Sequence, residues 1–322
     1  MTPYNEKIWA TPLDRMSAGW IGERVARPVW ETILERTCRE QDAEPWGPNA
    51  QFRYPATGGS GRVWRETSLR IPKRHKRFHE AVLEIDADEK LIVTDRGRRY
   101  RYQHLVSTMP ADQLLQLLTT KRQLPSAGRL QHTTTHLRGF GLPGAPPASL
   151  RDRLWVYFAQ PDVCFYRMTL LSNLSPAMVP DSQSTWSVVV EVAESRWKPL
   201  TEKNLTQRVL DDLRQLGFVE EHTVPLSTWE RTLPYGYPIP TLDRDRTLAG
   251  VLPALEQLGI YSRGRFGAWK YEVSNQDHSF MQGVEAIERI VNDREELTLH
   301  HADLINSRNN VFPYPEWGRR KA

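Results

Sequence analysis

The sequence predicts a mixed α/β chain built around a central antiparallel sheet, and three observations carry that expectation. Strand-sized runs recur between about His132 and Trp229, at Thr133–Leu142, Leu154–Phe158, Cys164–Leu171, Trp186–Val192 and Val224–Arg231. The amphipathic stretch Thr201–Leu216 sets Leu205, Val209, Leu213 and Leu216 on one stripe, suited to covering that sheet. Helix-type periodicity lies on both sides of the strand-rich middle.

The elements follow in order. From Leu13 to about Glu40, Met16, Trp20, Ile21, Val25, Val29 and Ile33 recur at three- and four-residue spacings and read as one or two helices broken at Pro28. Pro45–Gly61 is loop, containing Trp46-Gly-Pro-Asn49 and Gly58-Gly-Ser-Gly61, and helix resumes after it. His79–Ile85, Lys90–Thr94 and Tyr100–Ser107 read as a small antiparallel unit, and Pro110–Thr119 as a helix. Beyond the sheet and the proline-rich turn Tyr235–Pro240, Leu248–Leu258 is helical, Ile260–Ser262 a strand and Asn275–Val291 the last clear helix. There is no internal repeat.

The 322 residues suggest about two domains at ~150 residues each. With 39% hydrophobic, 10% aromatic and 25% charged residues, the chain can bury a sizeable core, which excludes a mini-protein scaffold and a disordered low-complexity chain. The net charge of +4 is spread along the chain, and the clusters Lys73–Arg77, Arg96–Arg101 and Arg319–Lys321 read as solvated faces, not as a nucleic-acid arm. Two cysteines, Cys38 and Cys164, are too few for a disulfide framework or a cysteine zinc site and fit a reducing compartment. No apolar run approaches the ~20 residues of a membrane span, and no secretory signal is visible, so a cytoplasmic location is expected. Asn173-Leu-Ser and Asn204-Leu-Thr then read as chance sequons.

Gly139-Phe-Gly141-Leu-Pro-Gly144 fits G-x-G-x-x-G, but it lies in or just after a strand and is followed by prolines that cannot open a phosphate-binding helix. His132 and His136 have no third ligand nearby, so no metal site is expected, and the consecutive Asp277, His278 and Ser279 cannot converge as a triad. A stronger signal is the pairing of Trp155 and Tyr157 on one strand face, by the period of two, with Arg167 on the next strand. A guanidinium beside aromatic walls suits a nucleotide diphosphate; the alternative is an arginine paired to a surface carboxylate with aromatics in ordinary core. Gly264-Arg-Phe-Gly267 followed by Trp269, Tyr271 and Asn275 reads as strand, tight turn and helix start, with Asn275 as N-cap. Such a helix N-terminus would suit an anionic reduced flavin; an ordinary strand–helix connection is the alternative.

At these residues the chain resembles the UDP-galactopyranose mutases of the eukaryotic type, a family related to the amine-oxidase-like flavoproteins. The resemblance runs through Pro3-Tyr-Asn-Glu-Lys-Ile-Trp9, Trp20-Ile-Gly-Glu-Arg24, Trp46-Gly-Pro-Asn49, Phe52-Arg-Tyr-Pro-Ala-Thr-Gly-Gly59 and Leu105-Val-Ser-Thr-Met109. It continues in Trp155-Val-Tyr157, Phe165-Tyr-Arg167, Gly236-Tyr-Pro-Ile-Pro-Thr-Leu242, Ser262–Gly267 and Tyr271–Phe280, and reaches about Asn310. It implies a partial FAD-binding domain of the amine-oxidase-like type, with residues 1–45 as the remainder of a helical substrate domain and 46–130 as part of the flavin domain. Residues 131–240 would form the antiparallel-sheet substrate domain and 241–322 the C-terminal part of the flavin domain.

The activity implied is interconversion of UDP-galactopyranose and UDP-galactofuranose with reduced FAD, whose N5 attacks the anomeric carbon and forms a sugar adduct. By position in the family's motifs, Arg24 and Arg167 would hold the diphosphate, helped by Tyr157, Tyr237 and Tyr271. Asn5 and Trp9 would border the nucleoside, and Asn49 and Trp155 the sugar side. Gly264, Arg265, Asn275 and Gln276 would lie against the flavin. Leu174 stands where the family usually has a phosphate-side tyrosine, and the family's N-terminal flavin half, with its glycine fingerprint, has no counterpart, which implies an N-terminally truncated form. The expected partner is UDP-galactose, with no nucleic acid and no membrane, and a homo-oligomer stays open. Two other readings remain: an amine- or protoporphyrinogen-oxidase-like oxidoreductase, and a non-catalytic UDP-sugar-binding remnant.

Overall fold

The computed structural model describes residues 2–21, 30–41 and 53–305. The first helix, α1 (Thr2–Trp9), turns Lys7, Ile8 and Trp9 inward. The chain then passes through a single 3-10 turn at Leu13–Arg15 and bridges to Thr241 at Met16. Continuous helix from Leu13 is therefore not formed. Met16, Trp20 and Ile21 reach the core from irregular backbone, because Pro12 enters extended and Met16 is drawn into pairing with the Thr241 segment. Tertiary packing overrides the local periodicity. Helix α2 (Trp30–Cys38) follows, and the expected break at Pro28 lies outside the described residues. Helix α3 (Gly59–Leu69) begins inside the stretch read as loop.

Strands β1 (Val82–Asp86), β2 (Leu91–Thr94) and β3 (Arg99–Arg101) form the expected antiparallel unit. The run Tyr100–Ser107 is not a single strand of it. The Tyr102 amide closes on Lys90 and the Leu105 amide on Gly259, so the backbone leaves one sheet and enters another as β4 (Leu105–Ser107). Helix α4 (Ala111–Leu117) leads to β5 (Leu118–Thr119), which pairs with β1 in parallel.

Strand β6 (Gln131–His132) precedes β7 (Thr134–Pro143), β8 (Trp155–Tyr157), β9 (Arg167–Leu170), the short helix α5 (Leu171–Leu174) and β10 (Thr185–Glu194). Helix α6 (Leu205–Gln215) and β11 (Ser227–Leu233) complete a five-stranded antiparallel sheet in the order β11-β7-β10-β9-β8. Alternation along each strand gives this sheet two different faces. Phe140, Leu142, Met168, Leu170, Val188, Val190 and Val192 pack against Leu205, Val209, Leu210 and Leu213 of α6. Each such side chain contributes about 1.5–3 kcal/mol on burial. The Asn204 side chain caps α6 by accepting from the Gln207 amide at 3.1 Å. The opposite face carries Arg167, Val189 and Glu191, and it is the face that builds the site.

Strand β12 (Pro238–Ile239) pairs with β6, and helix α7 (Arg244–Glu256) leads to β13 (Ile260–Ser262), parallel to β4. Helices α8 (Gly264–Gly267), α9 (Gln276–Asn292), α10 (Leu297–His300) and α11 (Ala302–Ile305) finish the described chain. A second core joins Ile85, Leu114 and Leu130 to Leu248, Val251, Leu255, Ile260 and Trp269. A third packs Ile8, Trp9, Met16 and Trp20 against Tyr166, Ala193 and Ile239. Among the described residues no helix is long and apolar enough to cross a membrane.

Candidate active site

Strands β9 and β10 set Arg167 and Glu191 opposite each other. Arg167 Nε and Nη2 donate to Glu191 Oε1 at 2.8 and 2.5 Å, and the Tyr166 hydroxyl donates to Glu191 Oε2 at 2.5 Å. Arg167 Nη2 also reaches the Tyr237 hydroxyl at 3.4 Å. Burial opposes the guanidinium charge, but the oxygens of Tyr237, Glu191 and Tyr166 outweigh it and hold Arg167 well above the ordinary arginine value. Burial, then Tyr237 and Glu191, push the Tyr166 phenol well up, so it remains a neutral donor. The register pairs Tyr157 with Arg167 and Trp155 with Thr169, so both aromatic residues share the Arg167 face as their spacing predicts. Tyr157 is 53% exposed, and Tyr4 meets it edge-on with ring centroids 5.7 Å apart. Burial, then Tyr157, raise the Tyr4 phenol far beyond its ordinary value.

Next to this pair lies an aromatic cluster. Trp9, 1% exposed, makes edge contacts with Tyr271 at 4.7 Å, Trp20 at 5.0 Å and Tyr237 at 6.0 Å, and Tyr237 meets Tyr271 at 5.6 Å. The Trp9 indole N–H is buried and finds no acceptor among the described residues. Gly236 lets the Tyr237 loop approach β7. A Cβ at Gly236 would collide with Thr135 Oγ1 and stand 2.9 Å from Thr133 Oγ1, and the Tyr237 amide donates to Thr133 Oγ1 at 2.9 Å. The Tyr271 segment is held from behind, where the buried Arg244 donates to both oxygens of Glu272 at 2.8 and 2.9 Å.

Arg265 joins the two halves. Its guanidinium carbon lies 5.2 Å above the Tyr237 ring, and its Nε donates to the Ser274 carbonyl at 3.2 Å. Among the described residues Arg265 has no carboxylate partner. Tyr237 is therefore flanked by two guanidiniums, one at its hydroxyl and one over its face, while Glu191 neutralises only Arg167. The cluster carries a surplus positive charge, as an anionic ligand requires.

Gly264 has φ +84°, and a Cβ there would meet nothing within 4 Å, so the backbone borders open space. Asn275 takes the N-cap position of α9, but its side chain accepts no bond from the helix amides. The expected side-chain cap is not made. Gln276 is exposed, and its Oε1 accepts from Trp64 Nε1 at 3.2 Å. Asn5 is half-buried on α1. The structure thus brings together Arg167, Trp155 and Tyr157 on one face, and Trp9, Tyr237, Tyr271 and Arg265 in the adjoining cluster. Arg24 and Asn49 lie outside the described residues.

The glycines of the G-x-G-x-x-G match, Gly139 and Gly141, lie inside β7, where a Cβ would meet Trp229 at 3.4 Å and Ser227 Oγ at 2.6 Å. They serve cross-strand packing. The His136 ring bonds Glu194 and Thr232, while His132 stacks on Tyr235 at 4.1 Å. Leu174 ends α5, next to Asn173, whose side chain donates to the carbonyls of Leu150, Arg151 and Arg153. Sequence pattern alone does not single out Glu191, Tyr166, Tyr4 or Trp20. A lone carboxylate in the apolar run Trp186–Val192 is the signal that could have found Glu191.

No protein-family model matches the chain. The crystal structure of a reduced UDP-galactopyranose mutase superposes with a TM-score of 0.90 at 36% identity, covering 95% of this chain and 68% of that one. A protein from Exiguobacterium assigned as a protoporphyrinogen oxidase matches with a TM-score of 0.49 at 19% identity, over 62% of this chain and 45% of its own. Cyclohexylamine oxidase from Brevibacterium oxydans matches with a TM-score of 0.47 at 14% identity, over 76% and 51%. Both superpose too loosely to carry an argument. The architecture, a mixed α/β fold around this five-stranded antiparallel sheet, is that of a sugar-nucleotide mutase. The chain belongs to the UDP-galactopyranose mutase family.

Proposed function

We propose that this chain interconverts UDP-galactopyranose and UDP-galactofuranose as a flavin-dependent isomerase. Beside family membership, the observation that carries this reading is the pair of guanidiniums on Tyr237, with only one carboxylate between them. A diphosphate supplies the missing anionic oxygens. Arg167, fixed by Glu191, and Arg265 would bind it, with the hydroxyls of Tyr157, Tyr237 and Tyr271 as neutral donors. Holding the charge of departing UDP lowers the barrier at the anomeric carbon, because the donors are already oriented when charge develops. Trp155 would wall the sugar side, and Asn5 and Trp9 the nucleoside. By the family's motifs Arg24 would serve as the second diphosphate arginine and Asn49 as a sugar contact. Residues 1–45 and 131–240 are read as substrate-handling parts, and 46–130 and 241–322 as flavin-domain parts; the shared core of Ile85, Leu114, Val251 and Ile260 supports the latter pairing.

The residues present suit the flavin end of FAD. Gly264 borders open space, the Asn275 side chain at the N-cap of α9 makes no bond to the helix amides, and Arg265 bonds the Ser274 carbonyl and covers the Tyr237 ring. Reduced FAD, when bound there, supplies an electron-rich centre for exchange at the anomeric carbon. For the ADP half, the one G-x-G-x-x-G match among the described residues lies inside and at the end of β7 and opens no helix. Among the described residues β4 pairs with β13 alone, and Val106 is exposed. That feature favours a second reading, a UDP-sugar binder that holds no flavin of its own.

The test is turnover of UDP-galactofuranose by the chain with FAD and dithionite, followed by chromatography of the two sugar nucleotides. Conversion that needs reduced FAD and falls at least about tenfold in Arg265→Ala supports the isomerase. Retained flavin and bound UDP without conversion contradicts it. UDP binding with no retained flavin selects the second reading.

A further inference from the structure

Lys7 lies on α1 between Asn5 and Trp9 in sequence, yet neither the aromatic cluster nor the arginine pair uses it. Its side chain is buried, 6% exposed, and its Nζ donates to the Gln160 carbonyl at 2.8 Å. Among the described residues it has no carboxylate partner. Asp212 and Asp162 act on it only through space, and the buried Asp212 is already committed: Oδ1 pairs with Arg208 Nε at 3.0 Å and Oδ2 accepts from the Cys164 amide at 2.7 Å. Burial, and then the like charge of Lys198, pull the Lys7 ammonium down to about 8. A buried ammonium with one neutral acceptor is an unfavourable arrangement that an anion would relieve.

Lys7 opens onto a cleft of about 510 Å³ bounded by α1, the 159–164 loop, the 198–202 segment and the start of α6. Lys198 and Arg208 line the same cleft, while much of the remaining wall is apolar, including Pro161, Leu200 and Leu205. Glu6 and Glu202 also contribute to the lining. The buried charge beside aliphatic wall sets the chemistry of an occupant.

We propose that this cleft is a second ligand site, distinct from the Arg167–Arg265 cluster, which takes a small amphiphilic anion with its carboxylate on Lys7, Lys198 and Arg208 and its aliphatic body against Pro161, Leu200 and Leu205. A carboxylate satisfies the ammonium with charge-assisted bonds, and the short chain removes apolar wall from water. A fully hydrated inorganic anion gains only the first of these, and a neutral alcohol only the second.

The experiment is calorimetric titration of the full chain at pH 7 with hexanoate, with 1-hexanol and inorganic phosphate as controls. Saturable one-to-one binding of hexanoate is expected, with hexanol and phosphate each at least about tenfold weaker. Lys7→Met, which keeps the stem and removes the charge, is expected to weaken hexanoate at least about tenfold, and Lys198→Ala, at an exposed position, about threefold. Far-UV circular dichroism confirms that the Lys7→Met chain is folded. A measurement independent of any variant is lysine-selective NMR of the unmodified chain, in which the Lys7 titration midpoint moves upward as hexanoate is added. Absence of hexanoate binding, binding undiminished in folded Lys7→Met, or hexanol or phosphate binding as tightly as hexanoate would each overturn the proposal.

Discussion

Replacing Glu191 by Gln probes the site through a residue that would touch no substrate. Glu191 Oε1 accepts two bonds from Arg167 and Oε2 one from Tyr166. Gln keeps the shape but has one carbonyl oxygen, so its amide must turn NH2 groups either toward a guanidinium or toward the Tyr166 hydroxyl. Bonds to a charged partner are worth about 1.5–3 kcal/mol, and removing one member of a buried pair costs more because the other charge is left unpaired. The Arg167 side chain is 27% exposed, so water takes over part of that interaction. A net loss of about 1–2 kcal/mol follows, equivalent to a fall in Tm of roughly 1.5–3 °C for a chain of this size. Arg167 then loses its fixed orientation, and UDP is expected to bind about tenfold more weakly, corresponding to ~1.4 kcal/mol. Scanning calorimetry reads the first effect and a UDP titration the second. The control is Glu194→Gln on the same strand, which exchanges the carboxylate that His136 and the Leu200 amide bond for a neutral amide and leaves Arg167 untouched. It should lower Tm without changing UDP affinity. Wild-type UDP affinity in a destabilised Glu191→Gln chain would refute the positioning argument.

Three further outcomes are expected. Arg265→Ala, which breaks no ion pair in the described residues, should move Tm by less than about 1 kcal/mol equivalent while weakening UDP about tenfold, measured by the same two assays. Gly236→Ala places a Cβ into Thr135 and Thr133, so a loss of about 1–3 kcal/mol in denaturant unfolding should accompany weaker UDP binding as the Tyr237 loop moves away. Lys7 gives a pH signature: its pKa lies at about 8 when folded, below its ordinary value, so above pH 8 the unfolded chain binds the extra proton and stability rises with pH. The cost of charging Lys7 is fully present below pH 8, so Lys7→Met should be the more stable chain at pH 7, and its advantage should shrink between about pH 8 and 10 in paired Tm measurements.

Much of the sheet was legible because its signal is local. Strand-sized runs mark β7 and β10, the stripe Leu205, Val209 and Leu213 marks α6, and Ile260–Ser262 appears as the strand it is. The errors fall where long-range pairing decides. Met16 is extended because Thr241, far along the chain, pairs with it, and Leu105–Ser107 leaves the antiparallel unit because β13 offers a parallel edge. The site divides in the same way. Trp155, Tyr157 and Arg167 follow from two adjacent strands, but Glu191 comes from β10, and the contact of Arg265 with Tyr237 joins segments that no spacing rule connects. Family motifs point to Arg265 and Tyr237 separately, and only the fold shows that the two guanidiniums share one tyrosine.

The most direct test of the central claim, that Arg167, Tyr237 and Arg265 form a diphosphate site, is a calorimetric comparison of UDP with uridine on the wild-type chain and on Arg167→Lys. Lysine keeps the charge but loses the paired donors that a phosphate engages. The account expects UDP to bind at least about tenfold more tightly than uridine, with most of that difference lost in the variant. Equal affinity for UDP and uridine, or an unchanged preference in Arg167→Lys, would contradict it.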